Sequence, residues 1–304
     1  MKECRVCHCV LVIGENYLES NIEYGIYICR DCAKIKLNEF VDKNPWYKFN
    51  TKIDNRKVFL DTMGNKCACC TEDIWQFMTL DHINNDGCED RRGNSNPFTI
   101  GSFSRMKDDM DLSRYQMLCM NCNFCKGHNG FCPHALKTIR DNCAICSVSL
   151  SVKNWMEPLK THDSKICNDC LINNSVQRKG FSPTKQSKVI RKRMVLTLKQ
   201  LIVENYGGKC ECCHETELMF LTIDHIKGGG RKENKQLSKA GSDFYRHLKL
   251  NGYPKDNYRL LCYNCNCCRE VWGQCYHELC RQQNTTEIGI EQYRSMVISG
   301  EIQQ

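Results

Sequence analysis

Cys67-x2-Cys70, ten residues, Asp81-His82, thirty-six residues and Cys119-x2-Cys122-Asn123 form one constellation. Cys210-x2-Cys213, ten residues, Asp224-His225, thirty-six residues and Cys262-x2-Cys265-Asn266 form a second, with every position displaced by 143. Four thiolates at such spacings can close a tetrahedral zinc site. Asp and the Asn amide oxygen are hard ligands, suited to Mg²⁺, Mn²⁺ or a similar ion. A neutral His beside them titrates near working pH and can take a proton from water. Phosphodiester hydrolysis needs this set: a nucleophilic water, charge stabilisation on phosphate and help for the leaving oxygen. A lone Asp-His pair would be an ordinary turn carboxylate beside a surface histidine. Recurrence in register with both cysteine pairs and the Asn argues against that.

These residues need elements to hold them. Phe77-Met-Thr-Leu80 and Phe220-Leu-Thr-Ile223 read as short buried strands running into Asp-His. A regular strand sends neighbours to opposite faces, so each pair must sit at a strand end, where the chain turns. The thirty-six residues that follow are too long for a structureless loop. In the second half they hold Asp243–Leu250, a short helix that includes Arg246, closed by a turn at Asn251-Gly252-Tyr253-Pro254. Upstream, Lys185, Lys188, Arg191, Lys192 and Arg193 form a basic run leading into Val195, Leu198, Ile202 and Tyr206 at helical spacing. Gly207-Gly208 ends that helix. The basic run fits a solvated helix face, a phosphate-contacting face or a nuclear-import signal. Its counterpart, Lys48 to Met63, is less basic.

Each half opens with another pair of cysteine knuckles. Cys4-x2-Cys7 and Cys29-x2-Cys32 are 21 residues apart, and Cys143-x2-Cys146 and Cys167-x2-Cys170 are 20 apart. Such spans resemble zinc-ribbon or treble-clef units, with Tyr24–Ile28 as a short β-like run. A unit this small has little core, and zinc would supply roughly 10–16 kcal/mol of apparent folding free energy.

Cysteine is the extreme of the composition, at 26 of 304 residues. The start, Met1-Lys2-Glu3-Cys4, has no apolar signal region, and no stretch approaches a membrane span. The expectation is an intracellular protein of a reducing compartment, cytoplasm or nucleus, not secreted and not membrane-bound, using cysteines for metal. The formal net charge of +8 counts thiols as neutral. Four Cys4 zinc sites, each a net −2, would cancel it, so attraction to a polyanion has to come from local patches.

Asp-His between two CxxC knuckles, with Asn directly after the last cysteine, resembles the HNH, or ββα-metal, endonuclease superfamily in its zinc-stapled form. The likeness covers roughly residues 60–134 and 203–277. It implies that His82 and His225 are general bases, and that Asp81 with Asn123, and Asp224 with Asn266, hold the catalytic ion. It implies DNA as partner, and a 3′-hydroxyl and a 5′-phosphate as products. Asn257 matches the family's middle Asn, which braces the loop bearing the base. Arg114 stands at that place in the first copy, so copy two is expected to carry the activity. Lys126 and Arg269, on the helix after each Asn, join Arg246 and the Lys185–Arg193 run as expected nucleic-acid contacts.

The expected fold class is small α+β: a duplicated zinc-ribbon-like module plus ββα-metal module, zinc-stabilised. Its parts would be a ribbon at 1–47, an HNH-like module at 48–138, a ribbon at 139–184, an HNH-like module at 185–280 and a tail at 281–304. The tail offers no motif, only helical character from Thr286 to Val297. About four structural zinc ions are expected, one per CxxC quartet. Cys125, Cys132 and His134 recur as Cys268, Cys275 and His277, but no fourth ligand is evident, and they read as local packing. Cys69 and Cys212, each inside its knuckle, could compete as ligands. Two active units would let a monomer cut both strands. The reading from another class is a non-catalytic, zinc-dependent nucleic-acid-binding protein.

Overall fold

The computed structural model describes residues 2–17, 20–23, 25–87, 100–109, 111–129, 132–134, 142, 146–147, 183–230, 233 and 242–302. Within them the chain is a small mixed α/β structure with two antiparallel strand pairs. In the first half, helix α1 (Arg30–Lys43) and helix α2 (Tyr47–Met63) precede strand β1 (Met78–His82), strand β2 (Tyr115–Cys119) and helix α3 (Met120–Asn129). In the second, helix α4 (Pro183–Asn205) is followed by strand β3 (Leu221–His225), helix α5 (Ser242–Leu250), strand β4 (Tyr258–Cys262) and helix α6 (Tyr263–Trp272). Helices α7 (Tyr276–Gln282) and α8 (Ile290–Ile298) complete the fold.

The registers match at the same displacement as the sequence. Asp81 stands opposite Gln116 and His82 opposite Tyr115. Asp224 stands opposite Arg259 and His225 opposite Tyr258. Both strands end on the histidine, and the chain then turns, at Ile83–Asn84 in the first half. Cys119 and Cys262 close the partner strands, so each CxxC begins where its helix begins.

Helix α2 buries Phe49, Ile53, Arg56, Phe59 and Leu60, one stripe at helical spacing. Helix α4 ends as its sequence predicts. Ile202 and Tyr206 are buried, Gly207 and Gly208 take φ of 96° and 74°, and Gly208 N donates to Val203 O at 2.9 Å.

One hydrophobic core runs through both halves, from Phe49 to Ile302. The N-terminal unit has a separate core of Cys4, Cys29 and Cys32, with Cys9, Leu11 and Ile28 against it. Three thiols cannot hold forty residues by apolar burial alone. Of the run Tyr24–Ile28, the described residues 25–28 are not a strand: Tyr27 O accepts one bond from Arg5 N at 2.8 Å, too little for a ladder.

The contacts joining the halves are reciprocal. Asn121 N donates to Asn264 Oδ1 at 2.8 Å, and Asn264 N to Asn121 Oδ1 at 2.9 Å. The His134 ring lies 5.0 Å from Phe220, and the His277 ring 5.2 Å from Phe77. Residue i meeting j while the counterpart of j meets that of i is the pattern of a twofold-related pair.

The C-terminal residues are packed structure. Tyr293, Met296, Val297, Ile288 and Ile302 are buried. Trp75 Nε1 donates to Ile288 O at 3.0 Å, and Tyr293 Oη to Trp272 O at 3.0 Å. The last long helix starts at Ile290, not Thr286, because Thr285 Oγ1 donates to Glu287 O and Gly289 serves as the N-cap.

Candidate metal centres and the Asp-His clefts

Five sets of four ligand atoms, each set within 4.8 Å mutually, occur among the described residues. Three are expected quartets: Cys4, Cys7, Cys29 and Cys32; Cys67, Cys70, Cys119 and Cys122; Cys210, Cys213, Cys262 and Cys265. The fourth quartet, Cys143, Cys146, Cys167 and Cys170, lies outside the described residues except for Cys146. The other two sets correct the sequence reading. Cys132 and His134 join Cys69 and Cys122, and Cys275 and His277 join Cys212 and Cys265. Cys125 and Cys268 are not members. Cys268 is buried, and its Sγ donates to Gln76 Oε1 at 3.3 Å. Counting one cysteine per ion hid the fourth ligand, since Cys122 and Cys265 already belonged to a quartet.

The separations fit a tetrahedral ion. With Zn–S near 2.3 Å and Zn–N near 2.0–2.1 Å, S···S edges should be about 3.8 Å and S···N edges about 3.5 Å. Cys70 and Cys119 sulfurs are 3.7 Å apart, and those of Cys213 and Cys262 3.6 Å. His134 Nδ1 is 3.3 Å from Cys122 Sγ and 3.5 Å from Cys132 Sγ. His277 Nδ1 is 3.5 Å from Cys265 Sγ and 3.7 Å from Cys275 Sγ. A disulfide would need about 2.05 Å between sulfurs. The knuckles share backbone geometry as well: Thr71 and His214, each one residue past its CxxC, take φ of 62° and 64°.

Asp81, His82 and Asn123 line one open cleft of 820 Å³, with Lys48, Lys52, Arg56 and Gly87. Asp224, His225 and Asn266 line another of 740 Å³, with Arg259, Arg269 and Gly230. Strand ends supply the Asp-His pairs and helices α3 and α6 the asparagines. Asn123 Nδ2 faces the strand, donating to Leu80 O at 3.3 Å, so Oδ1 is the atom it retains for a cation. Asp81 Oδ2 accepts Gln116 Nε2 at 2.7 Å and Lys126 Nζ at 2.5 Å. Asp224 Oδ2 accepts Arg259 Nε at 2.8 Å, with Nη2 at 2.7 Å. The donor sets suit a hard divalent ion, which would share each carboxylate with a cation of the chain.

The cation comes from a different element in each half. In the first it is Lys126 on helix α3, with neutral Gln116 on the strand. In the second it is Arg259 on strand β4, and Arg269, in the helical position of Lys126, pairs with Glu278. Lys126 and Arg269 therefore sit in internal ion pairs. Arg246 is exposed and pairs with Asp243. Lys185, Lys188, Arg191, Lys192 and Arg193 lie on helix α4.

His225 is boxed. Its ring stacks on Phe244 at 5.4 Å and meets Tyr258 edge-on at 4.9 Å. Its Nε2, shielded from solvent and making no hydrogen bond, is 3.2 Å from Glu233 Oε2, while Glu233 Oε1 accepts the Tyr258 hydroxyl. A Cβ on Gly230 would lie 2.5 Å from His225 Nδ1, and one on Gly87 2.7 Å from His82 Nδ1. His82 packs on Tyr115 at 4.7 Å. Sequence reasoning missed Glu233 and both glycines. Their signal was the same displacement, for Gly87 and Gly230 recur at 143, and Asp90, outside the described residues, stands 143 before Glu233.

The loop after each histidine is tied by main chain. Ile226 N donates to Asn257 O at 2.9 Å, and Ile83 N to Arg114 O at 2.9 Å. Asn257 is exposed, so its carbonyl does the bracing, and any residue carries a carbonyl. Arg114 adds an ion pair to Asp86 at 3.1 Å. Lys52 lies 4.0 Å over the Trp272 ring and donates to Val271 O. Burial lowers its pKa to about 8. Arg56, 4% exposed, donates to Met78 O at 2.5 Å.

Among the described residues no helix is long and apolar enough to cross a membrane. No family model, curated protein or solved structure matches this chain.

Proposed function

We propose that the chain is a divalent-metal-dependent DNA endonuclease, built from two ββα-metal units of the HNH type held by structural zinc. One observation carries the reading: Asp, His and Asn converge on one cleft, twice, from a strand end and the helix that follows its partner strand. A divalent ion held by Asp224 and Asn266, or by Asp81 and Asn123, would neutralise phosphate charge and assist the leaving oxygen. His225 accepts the proton of the attacking water. Glu233 Oε2, 3.2 Å from Nε2, would favour the ring proton on that nitrogen, which leaves the lone pair on Nδ1, the nitrogen beside which Gly230 leaves space. In copy two the carboxylate beside the base is Glu233, and the residue 143 positions before it is Asp90. Lys48, Lys52 and the basic run Lys185–Arg193 on helix α4 are the candidate phosphate contacts.

The test is cleavage of supercoiled plasmid by zinc-loaded protein with Mg²⁺ or Mn²⁺, beside His225→Ala, His82→Ala and the double variant. Loss with His225→Ala alone makes copy two the nuclease and copy one a grip on DNA. A linear product reduced to a nicked one in either single variant means two working sites.

The ion pairs on both aspartates, Lys126–Asp81 and Arg259–Asp224, favour a second reading: a zinc-dependent nucleic-acid-binding protein without catalysis. Under it, wild type binds DNA, cleaves none with any divalent ion, and His225→Ala binds as wild type does.

A further inference from the structure

We infer that each half carries a two-zinc cluster bridged by a single thiolate, Cys122 in the first and Cys265 in the second. The inference stands independently of the nuclease reading. It rests on the overlap of the ligand sets, since Cys122 belongs to two tetrahedra at once, as does Cys265.

Stoichiometry leaves little choice. Cys67, Cys69, Cys70, Cys119, Cys122, Cys132 and His134 are seven ligands, one short of two separate four-coordinate sites. A thiolate has lone pairs for two ions, so sharing Cys122 completes both. Two dications and six thiolates with a neutral imidazole carry a net −2, as one Cys4 zinc site does. The second ion therefore adds no charge to be buried.

The chain is built to divide the ligands this way. Within the knuckle, Cys67 and Cys70 belong to one set while Cys69, between them, belongs to the other. The bridging cysteines lie in the first turns of helices α3 and α6, and both are wholly buried. The segment after each helix then supplies Cys132 and His134, or Cys275 and His277. Each of these imidazoles also packs on the opposite half, His134 on Phe220 and His277 on Phe77. The second ion of each cluster thus fixes the ring that the other half packs against. It would staple the interface between halves as well as its own segment.

The direct test is ¹¹³Cd NMR of the full chain reconstituted with ¹¹³Cd²⁺ under reducing conditions. Each cluster should give one tetrathiolate resonance and one trithiolate-imidazole resonance, split by a mutual cadmium–cadmium coupling. Only a shared sulfur transmits that coupling. Zinc counting by native mass spectrometry gives the second arm. Cys212→Ser should lower the content by one ion per chain and Cys265→Ser by two, while His277→Cys keeps the wild-type count. Trithiolate-imidazole resonances that lack this coupling in the wild-type protein would overturn the bridge. So would a Cys212→Ser chain that retains every zinc. The wild-type spectrum decides even if a variant fails to fold.

Discussion

Asn121 and Asn264 cap each other's helices. Each side-chain oxygen accepts the backbone N–H of the other, at 2.8 and 2.9 Å, in the first turns of helices α3 and α6. Those N–H groups have no partner within their own helix. Two helix N-termini, each with a partial positive charge, meet here at a buried seam. Cys119, Cys122, Cys262 and Cys265 stand at the same ends, and as zinc-bound thiolates they would supply the opposing charge. Asn121→Ala strands a buried N–H of Asn264 and should cost about 1–3 kcal/mol, read as a lower Tm. A variant melting with wild type would mean that the seam does not depend on the exchange.

Zinc held at the cysteine quartets would carry much of the folding free energy. The N-terminal unit has little core besides Cys4, Cys29 and Cys32. A strong chelator should unfold it first, with circular dichroism losing helix α1 before the shared core melts. Zinc should restore the signal, since a structural site binds at roughly 10–16 kcal/mol. Retention of full helicity in zinc-free protein would place the stability elsewhere.

The parts legible in the sequence were those fixed by spacing. Cysteine quartets, strand-end Asp-His pairs and the Gly207-Gly208 stop depend on local geometry that one stretch of chain declares. The bridging role of Cys122 was hidden, because it is visible only when Cys69, from the knuckle, meets Cys132 and His134, from the segment after the helix. Asn257 pointed to an amide side chain, whereas its carbonyl does the work, and Arg114 provides the same atom. Nor did the pattern of Ile288, Tyr293 and Met296 announce that the tail closes over Trp75. Burial there is set by the other half of the chain.

Lys126 tests the ion site at Asp81. Both side chains are largely buried, at 15% and 7% exposure. Lys126→Met leaves the Asp81 carboxylate without its cation and should cost about 3–5 kcal/mol in the absence of divalent ions. Millimolar Mn²⁺ should recover part of that Tm loss, because the freed carboxylate and the Asn123 oxygen can hold it. If Mn²⁺ shifts variant and wild type equally, Asp81 is not the ligand.

Gly230 tests which nitrogen of His225 works. A methyl there would stand 2.5 Å from Nδ1, and Phe244 and Tyr258 leave the ring little room to retreat. Gly230→Ala should lower cleavage about 10²-fold, as a displaced reacting group does, and the clash should cost about 1–3 kcal/mol of stability, read as a lower Tm. Cleavage at the wild-type rate would put the working face of the ring at Nε2.

Lys52 gives the first cleft a pH dependence. Burial lowers its folded pKa to about 8, below the roughly 10.4 of an unfolded lysine. The penalty for burying its charge is full below pH 8 and gone once pH exceeds the unfolded value, so its contribution to stability rises across that window. Binding runs the other way. A phosphate contacting Lys52 favours the charged form, so affinity for DNA should fall as pH rises through 8. Lys52→Arg keeps its charge and should flatten that fall. Fluorescence anisotropy with a short duplex from pH 7 to about 9.5, in a metal-free buffer of fixed ionic strength, reads both curves. Parallel curves for wild type and Lys52→Arg would remove Lys52 from the phosphate contacts and leave Lys48 as the cleft's cation for DNA.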